Sequence, residues 1–198
     1  GRADMARPVS FDREQVLGKA TATFWEHGYR ATSISQLVEA TQLQPGSLYA
    51  AFQSKQGLFL AALDFYAAQS LKRLRGVLAE AVDPLAGIRS FFGQLARNAA
   101  DGGHRRGCLL VNTVLEVGRH DAEVQARVKA HLAEIEGVFL AALQEAQVHG
   151  LLAAGKSPQS LARFLMTTLW GLRVLSGIGV DAEQARLVAD QALSVLDA

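Results

Sequence analysis

Two stretches of this chain hold side chains whose types and spacing suit molecular recognition. The first is "LQPGSLYAAFQSK", Leu43 to Lys55, where Gln44, Ser47, Tyr49 and Lys55 stand among small or apolar neighbours. A helix opened by Pro45, with Gly46, Ser47, Ala50 and Ala51 facing outward, is slim along one side. Such a helix can bring its backbone close to base edges in a DNA major groove. Gln44 can pair with an adenine, Ser47 can donate or accept, and Ala50 can meet a thymine methyl. Tyr49 and Lys55 offer a hydroxyl and an ammonium to phosphates, and the first N–H groups of the helix form an anion site of their own.

The second stretch is "GGHRRGCLLVNTVLEVG". Cys108, Asn112 and Glu116 recur at i, i+4 and i+8 in an otherwise apolar helix, so they share a stripe. Polar groups on a buried stripe need partners, and a small molecule is one candidate. Cys108 also follows His104, Arg105 and Arg106 at a helix start, where positive neighbours and the helix dipole favour a thiolate. One reading is a pocket or sensor cysteine reactive towards electrophiles or oxidants. The other is a cysteine packed as a small hydrophobe, with Asn112 and Glu116 bonding neighbouring helices. Phe91, Phe92, Leu95, Phe164, Thr167, Thr168 and Trp170 are further candidates for lining a pocket. Arg173, three residues after Trp170, can pair with Glu116, hold an anionic ligand or lie exposed.

The elements that must position these groups all carry the helical period. Asp12 with Gln15 makes a capping-box arrangement, with Phe11 and Val16 as a staple, and Gly28 ends that helix. Val16, Leu17, Ala20 and Phe24 share its inner face. Ser33 with Gln36 announces a second helix, on which Ile34, Leu37, Val38 and Thr41 share a face. Gln44 caps a third, with Pro45 at its first position and Leu48 and Phe52 facing inward. Residues 33–52 are thus two short helices joined by a three- to four-residue turn, which is helix-turn-helix spacing. One long helix follows from Ser54 to about Ala81. Later helices are expected near 85–100, 107–118, 121–149, 158–179 and 182–197. The expected fold class is all-α, with about nine helices.

Composition bounds the function. The chain has 198 residues, 49% hydrophobic and 20% charged, which describes an ordinary globular protein. Net charge is +1, and the first sixty residues carry six basic against five acidic side chains, so no broad basic footprint argues for nucleic acid. A DNA reading rests on local geometry. No apolar run is long enough to span a membrane and no secretory signal is apparent. Gly1 to Asp4, before Met5, read as an expression scar. The single cysteine excludes an internal disulfide and fits a reducing, cytoplasmic setting. The five histidines, His27, His104, His120, His131 and His149, form no metal-ligand spacing. No phosphate-cradling loop follows a strand. A Cys108–His104 nucleophile pair lacks an orienting acid. The expectation is a non-enzyme without metal or cofactor.

The segment "EHGYRATSISQLVEATQLQPGSLYAAFQSKQGLF" resembles the DNA-binding domain of the tetracycline-repressor-type (TetR) bacterial regulators. Gly28-Tyr29, Thr32, Gly46, Leu48-Tyr49, Phe52 and Lys55-x-x-Leu58 carry the resemblance, over about the first third of the chain. It implies a helix-turn-helix domain at 9–69 and a ligand-binding and dimerisation domain at 70–198. It also implies a homodimer on a palindromic double-stranded operator, with repression relieved by a small-molecule effector. The DNA-binding residues are then Thr32, Ser33, Gln44, Pro45, Gly46, Ser47, Tyr49, Ala50 and Lys55. The ligand set is Phe91, Phe92, Cys108, Asn112, Glu116, Thr167 and Trp170. The last two helices correspond to the family's dimer interface, with Gly171 and Gly177 admitting close approach and Leu187 and Leu193 completing it. Three positions depart from the pattern: Gln42 stands where glycine is frequent in the turn, Gln44 where serine is a common cap, and Ala51 where histidine or tyrosine often meets phosphate. A thiol sensor acting through Cys108, or a helical adaptor that has lost DNA binding, are the alternatives.

Overall fold

A computed structural model describes residues 11–101 and 106–198. Its described residues form nine α-helices and no strand: α1 (Arg13–His27), α2 (Ile34–Thr41), α3 (Pro45–Phe52), α4 (Lys55–Glu80), α5 (Pro84–Ala100), α6 (Leu109–Glu116), α7 (Ala122–Val148), α8 (Pro158–Ile178) and α9 (Ala182–Leu193). A 3₁₀ turn at Ser194–Leu196 closes the last helix sooner than the sequence pattern suggests. The described residues divide into two compact units, a head ending at Phe65 and a body beginning at Tyr66, with α4 running through both.

Capping chemistry sets the starts of the head helices. The Asp12 carboxylate accepts from the Gln15 N–H at 3.3 Å, and Ser33 and Gln36 form a complete reciprocal box. Gly28, at φ 81°, takes a conformation that costs a side-chain-bearing residue, and its N–H reaches the Phe24 carbonyl at 2.7 Å. Between α2 and α3 the turn is made by Gln42 in the left-handed conformation (φ 60°, ψ 19°), steadied by its own amide donating to the Glu39 carbonyl at 2.7 Å. Glycine is therefore not required there, although its absence carries strain. The step from α3 to α4 is tighter. A Cβ at Gly57 would fall 2.0 Å from the Phe52 carbonyl oxygen, so only glycine fits.

The head core gathers Phe24, Leu37, Leu48, Phe52, Leu58, Phe59 and Leu63, all buried. Phe24 and Phe59 meet edge to face with centroids 4.9 Å apart. In the body α5 is central, packing on α7, α8 and α9. Ile88, Phe92, Phe139, Leu143, Leu165 and Leu172 fill the space between these helices.

Candidate DNA-reading helix and effector cavity

Helix α3 holds its shape from one side only. Leu48 and Phe52 are buried, while Gln44, Pro45, Gly46, Tyr49 and Ala50 are exposed and Ser47 and Ala51 are half-buried. Gln44 takes the N-cap backbone conformation, but its side chain makes no cap hydrogen bond and is not committed to holding the helix. Among the described residues nothing stands within 4 Å of a Cβ built on Gly46, so its small size serves no packing need there. Tyr49 keeps 46% of its surface exposed. These residues make a narrow face of short or uncommitted side chains; the Ser47 and Leu48 N–H groups already donate to the Gln44 carbonyl, at 3.0 and 3.1 Å.

Three sequence-derived assignments change in the head. Thr32 is 1% exposed, and its hydroxyl donates to the Gly28 carbonyl at 2.6 Å, so it braces the α1–α2 turn and cannot reach DNA. Ser33 is exposed but already works as the α2 cap, its Oγ accepting from the Gln36 N–H at 3.1 Å. The Lys55 ammonium lies 4.6 Å from the Tyr29 ring centroid and 3.4 Å from the Arg30 carbonyl. It is a half-buried cation–π partner rather than an extended phosphate hook.

The body holds a cavity of about 90 Å³, partly open to solvent. Helix α4 contributes Tyr66, Ser70, Arg73, Leu74 and Val77 to its wall, and α5 adds Phe91, Gln94, Leu95 and Asn98. Cys108 and Leu110 come from the start of α6, Leu132 and Ile135 from α7, and Met166, Leu169, Trp170 and Arg173 from α8. Tyr66 is buried, with its hydroxyl hydrogen-bonded to the Cys108 side chain and the Leu109 backbone. Burial first, and then the adjacent Cys108, push the Tyr66 phenol above its ordinary range, while Arg173 pulls it back.

Of the expected ligand set, Phe91, Cys108 and Trp170 line this cavity, joined by Leu95 and Arg173. Phe92 does not. It is fully buried against Phe139, with centroids 5.9 Å apart, and belongs to the core. Thr167 is exposed and bonds the Arg163 carbonyl of its own helix at 2.8 Å. Phe164 is 44% exposed, and the Thr168 hydroxyl bonds the Phe164 carbonyl. The buried polar stripe of Cys108, Asn112 and Glu116 does not form. Asn112 is exposed and donates to the Arg106 carbonyl at 2.7 Å, and Glu116 is not a wall residue. Cys108 precedes α6 in extended backbone (φ −105°, ψ 124°), so it does not project with the helical residues that follow. His104 and Arg105, invoked as neighbours of that thiol, lie outside the described residues. Sequence reasoning missed Tyr66 and Arg73. A lone tyrosine in the apolar run "LDFYAAQS" was the available signal for Tyr66, and nothing marked Arg73.

Residues 16–62 match the family model described as bacterial regulatory proteins of the tetR family, and residues 84–191 match the model of a tetracyclin repressor-like C-terminal domain. The chain belongs to the TetR family. This TetR-family chain is 29% identical over 188 residues to the HTH-type transcriptional repressor ComR of Escherichia coli K12, covering 94% of the chain and 90% of ComR. Among solved structures it is similar to a cysteine mutant of the TetR family transcriptional regulator CifR complexed with 26-base-pair double-strand operator DNA. There the identity is 34%, with a TM-score of 0.84, covering 94% of this chain and 98% of the other. E. coli NemR in its reduced form shares the fold, at 20% identity and a TM-score of 0.82, covering 91% of this chain and 94% of NemR. The protein is a DNA-binding transcriptional regulator, of a family whose members act as dimers and bind small-molecule effectors. None of the regulator's described helices is long and apolar enough to cross a membrane.

Proposed function

We propose that the chain is a cytoplasmic, homodimeric repressor that leaves its operator when a small molecule fills the body cavity. Gln44, Pro45, Gly46, Ser47 and Ala50 read base edges, while Tyr49 faces phosphates. The observation that carries the effector step is the make-up of the cavity wall. Five of its residues, Tyr66 to Val77, sit on α4, the helix that starts at Lys55 just after the reading helix ends. A guest that displaces those residues moves the rod on which α3 is mounted. Two reading helices bind neighbouring major grooves only when about 34 Å apart, so a small displacement is enough to lower affinity. The guest shifts the equilibrium only by its preference for the released arrangement.

The dimer reading is supported by the outer surfaces of α8 and α9. Phe164, Val174, Ile178, Leu187 and Val188 are exposed there, with Gly171 and Gly177 exposed among them. Exposed apolar side chains gathered on two helices that pack together suit an interface. Leu193, expected to join them, is buried within its own protomer. Fluorescence anisotropy with the promoter DNA beside the protein's own gene tests the reading. Salt-sensitive, sequence-specific retention is expected, and Leu187→Glu should yield monomers that lose it. Binding no tighter than to random DNA would end the proposal.

A second reading is favoured by one observation, that the Cys108 thiol itself lines the cavity. An electrophile small enough to enter would meet it. Complete alkylation of Cys108 that leaves operator retention unchanged would dismiss that reading.

A further inference from the structure

Building on the cavity as the effector site, we propose that the guest it selects is a small carboxylate with a short apolar tail. Among the described residues the wall carries two guanidinium groups, Arg73 on α4 and Arg173 on α8, and no aspartate or glutamate. Neither arginine is ion-paired among the described residues, whereas Arg89 and Arg163 elsewhere in the body pair with Asp197 at 2.7 Å and Glu136 at 2.6 Å. Arg173 is half-buried, and its charge acts on the Tyr66 hydroxyl. A guanidinium drawn partly out of water without a counter-charge is a standing cost that a bound anion removes.

A third donor points the same way. The indole N–H of Trp170, a wall residue, is buried and has no acceptor among the described residues. Buried indole N–H groups ordinarily find one. Two cationic donors and an unsatisfied indole N–H thus share one wall, and a carboxylate supplies two oxygens that accept from a guanidinium in parallel and from an indole besides. Leu74, Leu95, Ile135, Met166 and Leu169 give the wall an apolar side that suits a hydrocarbon tail, beside the neutral polar groups of Ser70, Gln94 and Asn98. Size limits that tail. At about 90 Å³ the cavity is smaller than the roughly 150 Å³ that admits benzene. Arg73, exposed, recruits the anion from solvent, and Arg173 holds it further in.

The test uses the intact protein and straight-chain carboxylates from acetate to hexanoate, each paired with its neutral amide. Binding is followed by calorimetry and tryptophan fluorescence, and operator release by anisotropy in parallel. At least one acid should bind about tenfold more tightly than its amide. That ratio should collapse towards one in Arg173→Gln and be partly kept in Arg173→Lys, with thermal melts confirming that both variants fold. An amide that binds as tightly as its acid, a ratio untouched by Arg173→Gln, or no binding by any acid in the series would overturn the proposal. The parallel readout separates the two ideas. An acid that binds with the expected preference yet leaves the operator bound supports the carboxylate and refutes release. An amide that binds equally and frees the operator does the reverse.

Discussion

The head carries its recognising groups on one eight-residue helix, whereas the body collects its cavity wall from five helices between Tyr66 and Arg173. On α3 the side chains that matter are those with no structural duty, such as an uncapped Gln44 and a Gly46 with open space around it. In the body much of the wall is also core: Tyr66, Leu74, Leu95, Leu110 and Met166 are all buried, while Phe91 and Arg173 are half-buried and Arg73 is exposed. A reading surface can therefore change without cost to folding, while the cavity is tied to the stability of the unit around it.

The sharpest way to break that contrast is at two adjacent phenylalanines. Phe92 is fully buried among Phe91 and Phe139, and Phe92→Ala should cost about 3–5 kcal/mol of stability in a denaturant melt. Phe91 is half-buried on the cavity wall, so Phe91→Ala should cost clearly less and enlarge the space for a guest. Equal losses would mean that even the half-buried part of the wall carries the fold as fully as the core does.

On the head the prediction reverses, with function lost and stability kept. Gly46→Val should weaken operator binding by about 2 kcal/mol or more if the α3 backbone approaches the bases, measured by anisotropy. The melting temperature should not fall, because a Cβ there meets nothing in the chain. Gln44→Ala should follow with about 1–3 kcal/mol of lost operator affinity, concentrated at one base pair of the half-site. Because the Gln44 side chain makes no cap hydrogen bond, stability should be nearly unchanged. A clear drop in melting temperature with unaltered DNA binding in either variant would place α3 in the fold rather than on the operator.

The same contrast explains what the sequence made legible. Head signals are local. Asp12 with Gln15, Ser33 with Gln36, and Pro45 at a first helical position each fix a helix start within four residues, and the helices begin there. Apolar period did the rest, placing Leu37, Leu48 and Phe52 inside. The cavity was legible only in part, at Phe91, Cys108, Trp170 and Arg173, because its wall depends on how α4, α5 and α8 pack. No window of sequence puts Tyr66 beside Cys108. Periodicity also misled at the α6 start. Counting Cys108 with Asn112 assumes both are helical, and one extended residue undoes the stripe. Thr32 misled for a related reason: a hydroxyl beside a capping box looks available until the turn closes over it.

The smallest expected effect lies in the turn that links α2 to α3, and its sign follows from three terms. Gln42 sits at φ 60°, where a side chain costs about 1–2 kcal/mol relative to the right-handed region. Gln42→Gly removes that strain but gives up the exposed bond to the Glu39 carbonyl, about 0.5–1 kcal/mol. It also frees the unfolded chain by a further 0.4–1 kcal/mol or roughly that. The strain and the two losses nearly cancel, so thermal stability should shift by less than about 1 kcal/mol in either direction. Operator affinity should shift as little, since the turn geometry is retained. A gain beyond that would show that Gln42 holds the turn under strain, and a comparable loss would show that its amide is what sets α3 in place.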